Sequence, residues 1–286
     1  MKYYIKFLGT AGARVVVLKQ LRSSAGTWLS FNETNILLDP GPGTLVKCHS
    51  SKPKLDPSKL DGIILTHRHI DHSTDINIMI EAMTSGGFKK KGALFAPNDS
   101  LNMSEVDEYP CIMKYLRKYL EKIEKLEEGK SYKINDIEFS TPLRHIHSDV
   151  ETYGIKFKIK NLTISFIVDT RFFPELIDAY RSDIIILNVV RFKPHESVEI
   201  DHLCIDDAKK IIKNISPKVA VITHFGMTMI SNKPWQLAEQ MKNEIGIEAI
   251  SANDGMTFPL DDVIKELNSI STNQEIKDSG KQLDLI

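Results

Sequence analysis

Residues 66–72 read Thr-His-Arg-His-Ile-Asp-His, so four side chains able to bind metal fall within six positions: His67, His69, Asp71 and His72. Three of the nine histidines of the chain lie here, which argues against an ordinary solvated loop. The apolar residues just before this stretch are typical of a buried strand. The alternate residues His67 and His69 can therefore face one metal ion, while Asp71 and His72 turn toward a second. Imidazole and carboxylate groups suit zinc, with manganese or iron as alternatives.

This spacing resembles the His-x-His-x-Asp-His signature of the metallo-β-lactamase superfamily, and further motifs of that superfamily follow in order. Upstream, Asp39 ends an apolar run before a Pro-Gly turn. Relatives use such an aspartate to orient a histidine ligand, although a plain turn explains the same residues equally well. Downstream, His147 precedes Tyr153 and Gly154 and resembles the histidine that completes the first metal site. We assign that role to His147, with His145 as the alternative, because relatives place the ligand just ahead of a glycine-containing strand.

Two later strand-like runs each deliver one more candidate ligand. Asp169 follows the run 164–168 and resembles the aspartate that bridges both ions in the superfamily. His224 follows the run 220–223 and resembles the last histidine ligand. Without the resemblance, Asp169 would be a turn or cap residue and His224 a core histidine. The resemblance implies two divalent ions that share Asp169, with His67, His69 and His147 at the first site and Asp71, His72 and His224 at the second.

His202 lies about twenty positions before the last ligand and just ahead of the amphipathic stretch 206–215. It resembles the extra histidine of the ribonuclease Z-like and cyclic-phosphodiesterase branches, which faces the scissile phosphate and is not a metal ligand. The resemblance implies that His202 protonates the leaving oxygen or stabilises the phosphorane, while Asp71 and Asp169 orient the nucleophile. Without the resemblance, His202 would be a capping or surface residue.

The composition is that of an ordinary globular protein. The 286 residues are 42% hydrophobic and 26% charged, with a formal net charge of -1. No stretch approaches 18 apolar residues and the N-terminus reads as a charged strand, so we expect a cytoplasmic protein without a membrane partner. Cys48, Cys111 and Cys204 are odd in number and lack metal-type spacing, which indicates neither a disulfide framework nor a cysteine zinc site.

Strand and helix patterns alternate along the chain. Strand-like runs lie near 3–9, 28–38, 62–66, 93–96, 136–141, 153–168, 183–190 and 218–223, and helical patterns near 73–84, 109–127, 205–215 and 234–244. This α/β order, together with the motifs, implies the four-layer αβ/βα sandwich of the superfamily, with the metal ions at one edge.

The spread of the motifs predicts a single domain over residues 1–262, because the chain between distant ligands cannot be divided into independent units. Within it, we expect segment 98–130 to form a variable cap over the site, and residues 263–286 to form a polar tail. In the cap, Leu116, Leu120, Ile123 and Leu126 repeat at helical spacing and predict the buried stripe of a surface helix.

Two ions bridged by a carboxylate also bridge a water, lower its pKa toward neutrality and hold hydroxide in line with a phosphorus or carbonyl centre, which predicts a hydrolase. Antibiotic-hydrolysing relatives carry Cys or Ser in place of Asp169, and flavin-linked di-iron relatives carry an acidic residue in place of a first-motif histidine. Thioester hydrolases of the glyoxalase II type share all seven ligands but lack a donor like His202. Phosphodiester hydrolysis is therefore favoured, with thioester hydrolysis as an alternative.

The size of the phosphodiester follows from the connection between the third and fourth motifs. Ribonuclease Z proteins that process the 3′ end of tRNA typically carry a long basic arm there, whereas only 22 positions separate His147 from Asp169, room for a strand hairpin. The basic run 89–91 is a weak phosphate-binding signal. We expect a small or cyclic phosphodiester as substrate, with RNA as the alternative. Many relatives are dimers, so a homodimer is one expectation for the assembly.

Overall fold

The computed structural model describes residues 2–102, 109–195, 198 and 200–264, and within them two β-sheets pack face to face with helices on both outer faces. The first sheet contains β1 (Tyr3–Phe7), β2 (Thr27–Phe31), β3 (Thr34–Leu38), β4 (Gly62–Ile64), β5 (Ala93–Ala96), β6 (Lys122–Lys125) and β15 (Thr257–Pro259). The second contains β7 (Lys130–Ile134), β8 (Ile137–Thr141), β9 (Ile155–Ile159), β10 (Leu162–Ile167), β11 (Ile184–Arg191), β13 (Val219–Thr223) and β14 (Glu248–Ser251), and β12 (Leu203–Cys204) pairs with β11. The helices are α1 (Ala13–Leu18), α2 (Thr44–Ser50), α3 (Ile70–Ser73), α4 (Ile76–Met83), α5 (Asn98–Leu101), α6 (Glu175–Ala179), α7 (Ile205–Ile215), α8 (Met227–Ser231) and α9 (Pro234–Ile245).

Each sheet is antiparallel on one side and parallel on the other. In the first sheet, β3, β4, β5 and β6 run parallel. In the second sheet, β10, β11, β13 and β14 do. In α/β folds, small molecules and ions bind where the carboxyl ends of parallel strands meet. We therefore expect a binding site at the loops after β3 and β4 and at those after β10, β11 and β13.

Three apolar layers hold these elements together. Phe95 and Phe157 belong to the layer between the two sheets. Leu65 packs in the layer between the first sheet and its helices, and Ile211 in the equivalent layer of the second sheet. Helix, sheet, sheet and helix thus form four layers, which confirms the predicted αβ/βα sandwich.

Helix α7 fixes the chain that follows His202, and its predicted range of 205–215 is confirmed. Its inward face carries Ile205, Ala208, Ile211, Ile212 and Ile215, all buried and spaced as one stripe of an amphipathic helix. At its start, the Asp207 carboxylate accepts the Cys204 N–H at 3.0 Å, and at its end Ser216 adopts a left-handed conformation with φ of 54°. The segment leading out of His202 is therefore anchored to the second sheet.

The predicted surface helix over 109–127 is wrong. The chain there forms a 3-10 helix at Lys114–Tyr119 and then enters β6. Leucines of the predicted stripe are buried, but Ile123 is 36% exposed and pairs with Leu94 of β5 in parallel register. Pairing with a sheet edge satisfies the backbone of this segment, so a non-local contact outweighs the local helical spacing.

The remaining predictions concern turns and ends. The run 28–38 is a hairpin of β2 and β3 that turns at Asn32, whose φ is 62°. The chain between the third and fourth motifs contains the hairpin of β9 and β10, as expected. Residues 103–108 of the predicted cap lie outside the described residues, as does the predicted tail beyond residue 264. Among the described helices, none has the length and apolar character to cross a membrane.

Candidate metal centre

The predicted ligands come from four segments of the chain that meet at one edge of the sandwich. The loop after β4 carries His67 and His69, the short helix α3 that follows carries Asp71 and His72, and the loop between β8 and β9 carries His147. The second sheet contributes Asp169 after β10 and His224 after β13. The structure thus gathers seven side chains from both sheets at one place.

His67, His69 and His147 form the first cluster, in which one nitrogen of each ring lies within 4.8 Å of the others. His147 Nε2 is 2.9 Å from His69 Nδ1. His67 is fully buried, and its Nε2 has no hydrogen-bond partner among the described residues. A buried, unpartnered nitrogen that faces two other imidazoles fits a metal ligand, because leaving such an atom unsatisfied is costly.

Hydrogen bonds made by Nδ1 of His67 and His147 determine which ring nitrogen can bind a metal ion. His67 Nδ1–H donates to Thr66 Oγ1 at 3.1 Å, and the Thr66 hydroxyl donates to Asp39 at 2.7 Å. His147 Nδ1–H donates to the Asp201 carbonyl at 2.9 Å. Both rings therefore present the Nε2 lone pair to the cluster. Burial also lowers the pKa of His67 well below its ordinary value, which favours the neutral form that binds metal.

Asp71, His72 and His224 form the second cluster. His72 Nε2 lies 3.3 Å from His224 Nε2, and Asp71 Oδ2 is 3.9 and 3.7 Å from these two nitrogens. Two nitrogen ligands of one tetrahedral zinc ion are separated by about 3.3 Å when each bond is about 2.0–2.1 Å. His72 Nδ1–H donates to Asp39 at 3.0 Å, so Asp39 orients His72 and, through Thr66, supports His67. This is the role that the resemblance implied for Asp39.

Asp169 lies between the two clusters and is almost fully buried. Its Oδ2 is 3.6 Å from His147 Nε2 and 3.5 Å from His72 Nε2, and its Oδ1 is 3.4 Å from His224 Nε2. Burial would raise the pKa of Asp169, but the surrounding histidines hold it well below its ordinary value. An ionised carboxylate that reaches both clusters has the placement of a bridging ligand.

His202 lies beside the centre. Its Nδ1 is 3.7 Å from Asp169 Oδ2, and its ring centroid is 4.8 Å from that of His147. Among the described residues the buried Nδ1 atom has no hydrogen-bond partner, and burial lowers the His202 pKa to about 4. One side-chain atom from each of His147, Asp169 and His202 also lies within 4.8 Å of the others, so His202 is adjacent to both clusters without belonging to either predicted ligand set.

His145 lies outside both clusters, behind Asp169. Its Nδ1–H donates to the Asp169 carbonyl at 3.3 Å, and its Nε2 accepts the Tyr180 hydroxyl at 2.9 Å. Burial lowers its pKa to about 3, so the ring is neutral. A Cβ on Gly154 would lie 2.3 Å from the Tyr180 hydroxyl, so only glycine fits there. The structure thus brings His147, and not His145, next to His67 and His69.

This placement predicts different consequences for two neighbouring substitutions. His147→Ala is expected to remove one of two bound ions, because it takes a nitrogen from the first cluster. His145→Ala is expected to leave two ions bound, because that ring contacts the main chain of Asp169 and the Tyr180 hydroxyl and lies outside both clusters. Elemental analysis of both variants after equal exposure to zinc checks this. If His145→Ala loses metal and His147→Ala does not, the assignment is reversed.

Sequence reasoning missed two polar residues that support the centre. Asn188 donates from Nδ2 to Asp169 Oδ1 at 2.7 Å and so fixes the orientation of the carboxylate. It is a single polar residue within the apolar run of β11, which is a usable signal. Asp201 contacts the loop that carries His147, and its position directly before His202 was its only signal in the sequence.

The backbone around the centre is tightly constrained. Asp39 and His224 adopt left-handed conformations, with φ of 50° and 60°, which is uncommon for residues other than glycine. A Cβ on Gly41 would lie 2.0 Å from the Asp71 carbonyl, and one on Gly12 would lie 2.2 Å from the His224 carbonyl. These two glycines therefore allow neighbouring backbone segments to approach ligand residues closely.

Comparisons with known proteins agree with this geometry. A family model described as the beta-lactamase superfamily domain matches residues 34–225, which contain the seven predicted ligands and His202. An uncharacterized protein of Methanocaldococcus jannaschii is 32% identical over 91% of this chain and 96% of its own length. The chain belongs to the metallo-β-lactamase superfamily.

Other superfamily members resemble the chain over nearly its whole length. Ribonuclease Z of Borreliella afzelii is 24% identical, with 90% of this chain and 94% of that protein covered. Among solved structures, the metallo-β-lactamase fold protein YhfI from Bacillus subtilis superposes with a TM-score of 0.72 at 17% identity, over 90% of this chain and 98% of that one. A diphosphatase from the PhnP family superposes with a TM-score of 0.64 at 18% identity, over 90% and 97%. These structural likenesses show the fold.

The superfamily fold implies divalent metal ions, and the two clusters of the chain offer them suitable ligands. The coarse prediction from the sequence, a metallo-β-lactamase superfamily hydrolase with ribonuclease Z-like relatives, is therefore confirmed.

Proposed function

We propose that this member of the metallo-β-lactamase superfamily hydrolyses a small or cyclic phosphodiester with the help of two divalent ions, zinc first and manganese or iron as alternatives. The observation that carries the proposal is the position of His202, which lies beside Asp169 and next to the first cluster. A proton donor placed there is what an alkoxide leaving group needs.

In the proposed site, His67, His69 and His147 would hold the first ion and Asp71, His72 and His224 the second. Asp169, which lies within 3.6 Å of a histidine of each cluster, would serve both. Two bound divalent ions would supply Lewis-acid activation of water and charge neutralisation of the phosphoryl oxygens.

The protein residues then have distinct tasks. Asp71 and Asp169 orient the attacking water and accept its hydrogen bonds, and Asn188 keeps the Asp169 carboxylate in one orientation. His202 donates a proton to the departing oxygen. Burial opposes the protonated form of His202, whereas Asp169 and the anionic phosphoryl group favour it.

Two observations support a small substrate over tRNA. The connection from β8 to β10 contains the short hairpin of β9 and β10, without an inserted arm between the third motif and Asp169. The net charge of -1 gives no broad electrostatic attraction to a polyanion. A diphosphatase from the PhnP family shares the fold, which agrees with the choice of a small substrate.

A second candidate is tRNA 3′-end processing, which the sequence likeness to proteins named ribonuclease Z favours. Thioester hydrolysis of the glyoxalase II type is a third outcome, since the same seven ligands would serve it.

A direct comparison of substrates separates these activities. The protein, loaded with zinc, manganese or iron, is assayed side by side on bis(p-nitrophenyl) phosphate, a cyclic nucleotide, a tRNA precursor and a lactoyl thioester. We expect turnover of the first two, with less on the precursor and none on the thioester. Hydrolysis of the thioester alone would overturn the proposal, and preferred cleavage of the precursor would replace it with the second candidate.

A further inference from the structure

We propose that Asp201 is a positioning residue that holds His147 and His202 in their relative places. The part that concerns His202 rests on the proposed phosphodiesterase function, whereas the part that concerns His147 requires only metal binding. Asp201 touches neither cluster with its carboxylate, so its effect is exerted through its two histidine neighbours.

The contacts of Asp201 join two segments that are far apart in the sequence. Its carbonyl accepts the His147 Nδ1–H at 2.9 Å, and its Oδ2 accepts the main-chain N–H of Ser148 at 2.8 Å. Two consecutive residues of the β8–β9 loop are thus bound to one residue of the loop before α7. The carboxylate contact keeps the two loops together, and the carbonyl contact then fixes the tautomer and orientation of the His147 ring.

Asp201 also fixes the backbone that leads into His202. On the C-terminal side, His202 runs directly into β12 and α7, which are anchored to the second sheet. On the N-terminal side, Asp201 supplies the contacts to the β8–β9 loop, and the His202 N–H donates to Ile200 at 2.7 Å in a tight turn. A change at Asp201 therefore moves the backbone from which the His202 ring projects.

Two further features constrain the junction between the β8–β9 loop and the loop that carries Asp201. Ser148 is held with a φ of 49°, in the left-handed region, while its N–H points to the Asp201 carboxylate. Arg171 Nε lies 3.8 Å from Asp201 Oδ1, and the Arg171 N–H donates to the Ile146 carbonyl at 3.1 Å. The partly exposed ion pair contributes little by itself, but it brings a third segment, directly after Asp169, to the same junction.

The first test measures metal affinity and needs no turnover. In Asp201→Ala, we expect the affinity for one of two zinc ions to fall about 10- to 100-fold, as for other residues that orient a ligand. Asp201→Asn keeps an oxygen acceptor for the Ser148 N–H and is expected to recover most of this loss. Asp149→Ala is the matched control, because Asp149 is exposed in the same loop and its loss removes the same charge.

A second measurement reads the His147 ring directly. Imidazole ¹⁵N resonances of the metal-free protein are expected to show the Nδ1–H tautomer in wild type and in Asp149→Ala, and a mixture of tautomers in Asp201→Ala. Unchanged resonances together with unchanged zinc affinity in Asp201→Ala would overturn the role assigned at His147.

The third measurement concerns His202. Asp201→Ala is expected to slow an alkyl phosphodiester at least about tenfold more than a p-nitrophenyl diester, since only the poor leaving group depends on the donor. Adding Asp201→Ala to His202→Ala is expected to leave this ratio unchanged, because both act through one group. Equal effects of Asp201→Ala on both substrates would overturn the role at His202. If wild type hydrolyses no diester, the proposed function fails, and the affinity and resonance measurements still decide the role at His147.

Discussion

Replacing His202 with alanine is expected to slow the hydrolysis of an alkyl or ribose phosphodiester by about two to four orders of magnitude, the usual cost of losing one general acid. The reason is the position of its ring, 3.7 Å from Asp169 and outside the ligand sets of the two proposed ions. A p-nitrophenolate leaves without protonation, so hydrolysis of a p-nitrophenyl ester is expected to fall far less. Steady-state rates on both substrates give the ratio of the two rate losses.

The metal content of this variant separates a donor from a ligand. We expect His202→Ala to retain two ions, because each cluster keeps its three predicted ligands and Asp169. His49→Ala is the matched control, since His49 is an exposed histidine on α2 and is expected to change neither rate nor metal content. Loss of an ion in His202→Ala would make it a ligand. Equal losses on both esters would make it a phosphate-binding group, and no loss on either would reopen the thioester alternative.

The other large effect is expected for Asp169→Ala, which removes the carboxylate that reaches both clusters. Replacing a residue that only orients a metal ligand lowers the metal affinity about 10- to 100-fold. Loss of a ligand shared by both ions is therefore expected to lower the affinity at least about 100-fold at each site. Isothermal titration of metal-free protein with zinc measures both affinities.

Asp169→Asn tests charge separately from shape, because the amide keeps a carbonyl oxygen but lacks the negative charge that His224 and His202 stabilise. We expect it to bind two ions more weakly than wild type and more tightly than Asp169→Ala. Asp206→Ala, an exposed carboxylate on α7, is the control and is expected to bind normally. Two ions bound to Asp169→Ala with wild-type affinity would contradict a bridging role.

The parts of the site that could be predicted from the sequence are those set by local order. The residues from His67 to His72 follow β4 directly, so a strand followed by closely spaced donors already predicts a loop at a strand end. Asp169 after β10 and His224 after β13 repeat that local pattern. Helix α7 was predictable because its apolar residues repeat at helical spacing over 205–215, and the structure buries that stripe.

The parts that could not be predicted depend on pairing across the fold. Asn188 supports Asp169 only because β10 and β11 are adjacent and parallel, which places its amide 2.7 Å from the carboxylate. Asp201 matters because its loop meets His147, 54 positions away in the sequence. The residues next to Asn188 and Asp201 in the sequence do not specify which distant residues these two side chains contact.

The one helix predicted wrongly has the same physical cause. Segment 109–127 has helical spacing of leucines, and several of those side chains are buried. The backbone of Lys122–Lys125, however, finds its hydrogen-bond partners on the edge of β5. Burial of an apolar face is compatible with both structures, so periodicity alone did not distinguish a helix from a 3-10 turn followed by a strand.

A metal titration monitored through activity most directly tests the proposal that two ions in one site support phosphodiester hydrolysis. Metal-free protein is titrated with zinc while the hydrolysis of bis(p-nitrophenyl) phosphate is recorded, and the titration is repeated with manganese and iron. We predict that activity rises to a plateau at two ions per chain. Full loading with two ions of each metal and no hydrolysis, or a plateau at one ion per chain, would contradict the proposal.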